Sequence, residues 1–268
     1  MVNQDWLATA LETTGDFETA GNPWGGVTGN FDKMGISCGV LQWNIGSSSL
    51  QPLVIAAGQP AVMATMPTFG ADFWRACTGT KSAGLAIVNG WQNGGAKLPK
   101  DVKAELMAFM VSGPMVAQQM KAAGSVARTA DRVATNWAAS RGTAPYSKRD
   151  FCWCFDLVTQ NGSLKNLTLA DVRQFTSDSG GPAAALNAIC DELAAVPQGR
   201  TAFKDCWRNA QLWRGTVATD WRDLFILSYL RARKSKLEYV GLVMNRKGAI
   251  AAGQGWVNGE MMNFEGRF

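Results

Sequence analysis

The sequence predicts a mainly helical α+β fold with one small N-terminal β-hairpin forming a wall of a cleft. Three observations predict it. Apolar residues recur at helical spacing through most of the 268 residues. One stretch, 35–44, alternates residue by residue instead, as a half-buried strand does. With 47% hydrophobic and 18% charged residues, the composition is that of a chain that buries a core. No fixed-period repeat is visible. A single domain over 1–268 is expected, and the most linker-like segment is SRGTAPYS at 140–147.

In chain order, Asn3 caps a helix over 3–14, and Gly15 reads as its stop, which leaves Glu18 just beyond a helix end. Asp32, Lys33, Met34 and Gly35 are turn material before the alternating run. There Ile36, Cys38, Val40 and Gln42 point one way, and Ser37, Gly39, Leu41 and Trp43 the other. Further helices are expected at 51–64, interrupted at Pro60, at 71–77, and at 101–119 with a break near Gly113-Pro114. Others follow at 125–139, 150–158, 169–175 (capped by Thr168), 182–195, 201–215 and 221–236. GWQNGG at 90–95 reads as a loop. From Lys247 onward the Gly-rich tail reads as hairpin or loop.

The net charge of +5 favours a polyanionic partner: nucleic acid, anionic lipid, or a bacterial wall rich in carboxylate and phosphate. Arg231, Arg233, Lys234 and Lys236 read as a solvated helix end favoured by the macrodipole. Nucleic acid is not expected, because the tryptophans and the basic residues are not interleaved in one patch. No run reaches the roughly 20 apolar residues of a membrane helix. The N-terminus carries Asp5 and Glu12 and no basic segment, so it does not read as a signal peptide. The expectation is a monomer made in the cytoplasm, or the host cytoplasm if the protein is a phage product, that reaches its substrate after release or delivery.

The six cysteines read as buried thiols. The absence of histidine removes Ser-His and Cys-His nucleophiles and His-ligated zinc. No phosphate-binding loop is present, and no cofactor or metal is expected. Carboxylate chemistry survives this elimination. Glu18 and Asp32 stand 14 positions apart on either side of a Gly-rich segment. Two carboxylates facing each other across a cleft are what cleavage of a glycosidic bond needs, one protonated and one ionised. Phe17, Trp24 and Trp43 could wall Glu18 and raise its pKa, while the polar surroundings of Asp32 keep it charged.

Trp24 and Trp43 could stack on sugar rings, with core packing as the alternative for both. Gln42 and Asn44 could hydrogen-bond sugar groups or cap the strand. Ser37 or Thr28 could orient a water. Met261 and Met262 read as packing.

The stretch GISCGVLQWN after an acid, a loop and an Asp resembles the core of the lysozyme superfamily, goose-type lysozymes and lytic transglycosylases in particular. Gly39, Val40, Leu41 and Gln42 fill the place of a G-L-M-Q-like tetrad. The resemblance implies a lysozyme-like fold, Glu18 as general acid and Asp32 as the residue that places water. Asn44 falls where goose-type enzymes carry a second Asp and cannot ionise. FDLVTQNG (155–162) and RKGAIAAGQGWVNG (246–259) are similar to phage and bacterial peptidoglycan-degrading and chitosanase-like proteins; the resemblance brings in Asp156 and implies Gln160 and Asn161 as substrate-binding residues, with a helix-end turn as the alternative for all three. The function so implied is an endolysin-type muramidase acting on bacterial peptidoglycan. The alternatives are a chitosanase-like hydrolase, whose cationic substrate suits a basic protein poorly, a lytic transglycosylase, and a catalytically silent glycan-binding or virion module.

Overall fold

A computed structural model describes residues 2–19, 23–30, 33–94 and 96–268; of residues 18 and 19 it describes the backbone alone. The described chain is mainly helical, with thirteen α-helices and five short antiparallel strands. It divides into two compact units. One comprises residues 11–125, the other residues 1–10 with 126–268. The stretch 140–147 lies inside the second of these. The chain passes between units within two helices, α1 (Gln4–Thr19) and α7 (Gly113–Arg141).

The smaller unit begins with the end of α1. Asn3 caps this helix as expected, accepting from the Asp5 and Trp6 amides at 2.9 and 3.3 Å. The expected stop at Gly15 is corrected: the helix continues to Thr19 and carries Glu18 in its last turn. Gly15 is there for a close approach. A Cβ at this position would collide with the Pro23 side chain and lie 2.8 Å from Cγ2 of Val40.

The alternating run is also corrected. It is not one strand but two, β2 (Ser37–Cys38) and β3 (Trp43–Asn44), joined by a turn in which Gly39 and Gln42 have φ of +77° and +53°. With β1 (Val27–Thr28) they form a three-stranded antiparallel sheet, register Val27↔Cys38, Thr28↔Ser37 and Cys38↔Trp43. Alternation misled because both Ser37 and Cys38 are buried, so neither face is free.

Short helices cover this sheet. The helix expected at 51–64 is two helices, α2 (Gln51–Ala57) and α3 (Gln59–Thr65). The break is at Gly58, whose φ of +91° suits glycine, while Pro60 sits in the first turn of α3, where a missing N–H costs nothing. α4 (Gly70–Thr78) and α6 (Lys100–Met110) match expectation; α5 (Lys81–Gly90) was not expected. Ile36, Cys38, Ile45, Val54, Phe73, Leu106 and Phe109 meet in one core, all wholly buried.

The larger unit holds the rest of α7, then α8 (Lys148–Asn161), α9 (Leu169–Asp178), α10 (Pro182–Ala194), α11 (Phe203–Trp213), α12 (Arg222–Arg233) and α13 (Val240–Ala252). Capping boxes start α8 (Ser147 with Asp150) and α9 (Thr168 with Asp171). The break expected near Gly113-Pro114 falls just before α7, and the separation expected between 119 and 125 is absent, since α7 runs unbroken for 29 residues. The tail is corrected as well. Residues 247–252 are helical, and β4 (Gln254–Val257) and β5 (Glu260–Asn263) follow as a hairpin. Its turn, Asn258-Gly259, has φ of +55° and +86°, the pattern of a two-residue primed turn. Asn209 holds β4, donating to the Trp256 carbonyl at 2.8 Å and accepting from its amide at 2.7 Å.

All six cysteines are buried free thiols, and burial pushes the Cys38 thiol up to about 12. Arg231 is not part of a solvated helix end. It is 3% exposed and donates to the carbonyls of Ser163 at 2.7 Å and Asn161 at 3.1 Å. Among the described residues, no helix is long and apolar enough to cross a membrane.

The charged centre of this unit is Asp156 on α8, wholly buried against Arg246 (2.7 Å) and Lys247, both on α13. Burial raises the Asp156 pKa, but the two cations outweigh it and hold the carboxyl below its usual range. Burial lowers the Lys247 ammonium to about 8 in spite of Asp156. Removing the carboxylate would take its charge away from two buried cations, Arg246 and Lys247. Asp156→Asn is therefore expected to cost about 3–5 kcal/mol, read as a large drop in the thermal or denaturant midpoint. A carboxyl lowered in the folded state adds stability above its unfolded pKa and loses it as pH falls through the folded one. The wild-type midpoint should fall on acidification through that range, and the Asn variant should lack this share of the fall.

Candidate active site

The candidate catalytic acids lie at the edge of what is described. Glu18 is in the last turn of α1, and its side chain lies outside the described residues, as does the whole of Asp32. What surrounds them in the smaller unit is well defined. Near the end of α1, Gly15 comes against Pro23, ahead of β1, and against Val40 in the turn between β2 and β3. Phe17, next to Glu18, is 3% exposed. The last turns of α1 are thus held by the burial of Phe17 and by the contact of Gly15 with the segments before β1 and between β2 and β3.

Gln119 on α7 fixes that sheet. Its side chain is wholly buried. Oε1 accepts from the Val40 amide at 3.1 Å, and Nε2 donates to the Met110 carbonyl at 2.8 Å and the Trp24 carbonyl at 3.4 Å. One carboxamide thereby satisfies three backbone groups of separate segments. The contact is tight. A Cβ on Gly39 would lie 2.5 Å from the Gln119 Oε1 and 2.7 Å from the Met110 methyl.

The β1–β2 loop is held by a second set of amides. Asn30 accepts from the Gly35 amide at 2.8 Å, and its own amide donates to Gln92 Oε1 at 2.7 Å. Asn30 Nδ2 donates to Asn89 Oδ1 at 2.9 Å, and Gln92 Nε2 to the Gly35 carbonyl at 2.9 Å. These bonds clamp both ends of the segment containing residue 32. Asn89, Gln92 and Gln119 escaped sequence reasoning. Their partners on the sheet and its loops are 57 or more positions away, and a side-chain amide carries no local signal of what it bonds.

The structure brings Trp24, Thr28, Ser37, Gln42, Trp43 and Asn44 together on this small sheet and its turns. Thr28 donates to Gln42 Oε1 at 3.2 Å, and Gln42 Nε2 donates to the Gly39 carbonyl at 2.9 Å. Asn44 accepts from the Ser47 amide at 2.8 Å. Trp24 is half-buried, and Trp43 is half-buried against the core. Gln42 and Asn44 thus shape turns, while part of each side chain remains accessible. Ser37 is 3% exposed, inside the sheet. Gln160 and Asn161 belong to the other unit. Gln160 accepts from Lys247 at 3.0 Å and supports the buried charge cluster, and the Asn161 carbonyl accepts from Arg231. Met261 is exposed, and Met262 on β5 is half-buried.

No protein-family model, curated protein or solved structure matches the chain.

Gln119→Leu retains the apolar stem but orphans the Val40 N–H and the Met110 carbonyl. Each group left buried without a partner costs about 1–3 kcal/mol. The expected outcome is a lowered melting midpoint together with faster hydrogen exchange at the Val40 amide. Unchanged exchange there would show that the amide does not hold the sheet.

Proposed function

We propose that this chain is a lysozyme-like glycosidase that cuts the glycan strands of bacterial peptidoglycan, an endolysin-type muramidase, with Glu18 as general acid and Asp32 as the second carboxylate. The observation that carries the reading is that the end of α1, which bears Glu18, meets the β2–β3 turn of the small sheet at Val40, while the first loop of that sheet bears Asp32. Gly15 makes that contact and Phe17 beside Glu18 is buried. That loop is tied down at Asn30 and Gly35. Anchored backbone around two carboxylates is what a site needs if the acids are to hold different protonation states at fixed separation. The half-buried Trp24 and Trp43 supply apolar surface of the kind sugar rings stack on. A net charge of +5 suits an anionic wall and disfavours the cationic polymer of a chitosanase.

In this mechanism Glu18 donates its proton to the leaving glycosidic oxygen as the bond breaks and positive charge builds on the sugar. Asp32 takes a proton from a water that attacks the opposite face. A gap of roughly 6.5–9.5 Å between the carboxyl groups leaves room for that water and gives inversion.

Glu18→Gln keeps the shape and removes the transferable proton. Wall clearing is expected to fall by roughly 10²–10⁴-fold with an unchanged melting midpoint. Clearing at the wild-type rate would reject Glu18 as the acid. Asp32→Asn should abolish turnover while wall binding persists, and mass spectrometry of wild-type fragments should find one added water and a free reducing end. Predominant 1,6-anhydro ends from an active Asp32→Asn variant would instead make the protein a lytic transglycosylase. Wall binding without any cleavage by the wild type would make it a glycan-binding module.

A further inference from the structure

In the larger unit a cavity of about 250 Å³ lies between the end of α10, the loop after it and the start of α13. A cavity of about 150 Å³ holds a benzene ring, so this one has room for a branched aliphatic side chain. Leu193, Ala202 and Met244 are buried and form its floor, and the half-buried Val196 and Val240 form its walls. Met244 makes the floor adaptable, since an unbranched thioether side chain shifts to suit what it meets.

The rim carries the opposite shape. Leu237 belongs to the 3-10 turn Leu237–Tyr239 between α12 and α13; it lines the cavity, yet it is 78% exposed. Among the described residues no other large hydrophobic side chain is as exposed; Trp207 follows at 52%. A scattered exposed leucine is ordinary on a protein surface. This one stands beside an apolar hole that it leaves open. Tyr239, two positions on, is exposed as well and extends the same surface.

A knob and a hole on one surface are what a two-fold interface requires. Each copy presents the same patch there, so a protrusion on one must find its recess on the other. The rim charges agree. Glu192 stands beside Tyr229 within the chain. Arg200 and Glu238 are exposed and form no ion pair among the described residues. One cation and one anion per copy pair reciprocally across a two-fold axis, whereas a rim of one sign would repel its own copy.

We propose that this face joins two copies of the chain, each inserting Leu237 into the other's cavity, with Arg200 of one copy opposite Glu238 of the other. One leucine anchor per copy places the dimer in the weak, concentration-dependent class. The proposal replaces the expected monomer and does not depend on the glycosidase reading.

The test is sedimentation equilibrium of the full-length protein over a concentration series, in which a monomer–dimer equilibrium is expected. Leu237→Ser removes the knob, and Ala195→Trp, at an exposed lining position, fills the hole. Thermal melts check that both variants keep the fold, and Ala195→Phe takes the place of the tryptophan variant should that one melt early. Each variant alone should dimerise at least tenfold more weakly than wild type. Mixed, the two should associate better than either alone, because one retains the knob, the other retains the hole, and half of the interface is restored. Protein that stays monomeric up to about 1 mM overturns the proposal, including protein whose cavity takes up benzene while it does so. So does a dimer that both variants leave unweakened, a mixture that gains nothing, or growth beyond the dimer, which a closed two-fold contact excludes.

Discussion

The smaller unit depends on one buried carboxamide. The sheet has strands of two residues, too short to be stable by ladder bonds alone. Gln119 supplies what the ladder lacks, pairing the Val40 amide with one end of its side chain and the Met110 and Trp24 carbonyls with the other. Buried backbone groups left unpaired would cost more than the net gain of any single strand bond. Because the amide must be both donor and acceptor in fixed directions, it also fixes the register of the turn between β2 and β3. The positive φ values of Gly39 and Gln42 are held in that frame.

The larger unit solves a different problem with charge. Asp156, Arg246 and Lys247 are buried together, where ions are costly unless matched in number and direction. One carboxylate serves two cations, Gln160 takes a further Lys247 donor, and burial lowers the Lys247 pKa in spite of Asp156. Such a cluster is a poor source of net stability and a strong source of specificity, since few other arrangements of α8 and α13 would satisfy all three groups. Neutral amides do comparable work at the hairpin, where Asn209 bonds both backbone groups of Trp256.

These arrangements bear on the proposed chemistry. A carboxylate pair works only if each acid is held in its own environment, and the smaller unit places side-chain amides at Asn30 and Gly35, on either side of residue 32. The loop containing residue 32 is bonded at Asn30 and Gly35 to side chains near the end of α5. The turn containing residue 18 is fixed by glycine-to-proline contact and by the burial of Phe17. Positioning of this kind falls to residues that never touch substrate.

What the sequence by itself determined is what depends on neighbours three or four positions away. Asn3 and Thr168 cap their helices because a cap needs only the next turn. Helical periodicity announced the mainly helical class, and the cysteine pattern announced buried thiols. The tertiary structure alone decided features whose cause lies tens of residues away. Gly15 looks like a stop and is instead a contact point inside a helix, because Pro23 and Val40 come against it. Arg231 looks like surface charge and is buried, because the Ser163 carbonyl meets it 68 positions away, and Arg246 and Lys247 are buried against Asp156, 90 and 91 positions away. Gly39 to Gln42 looks like strand and is a turn, because Gln119 claims the amide of Val40. Local propensity is summed over a few residues, whereas a buried polar group is settled only when its one partner arrives.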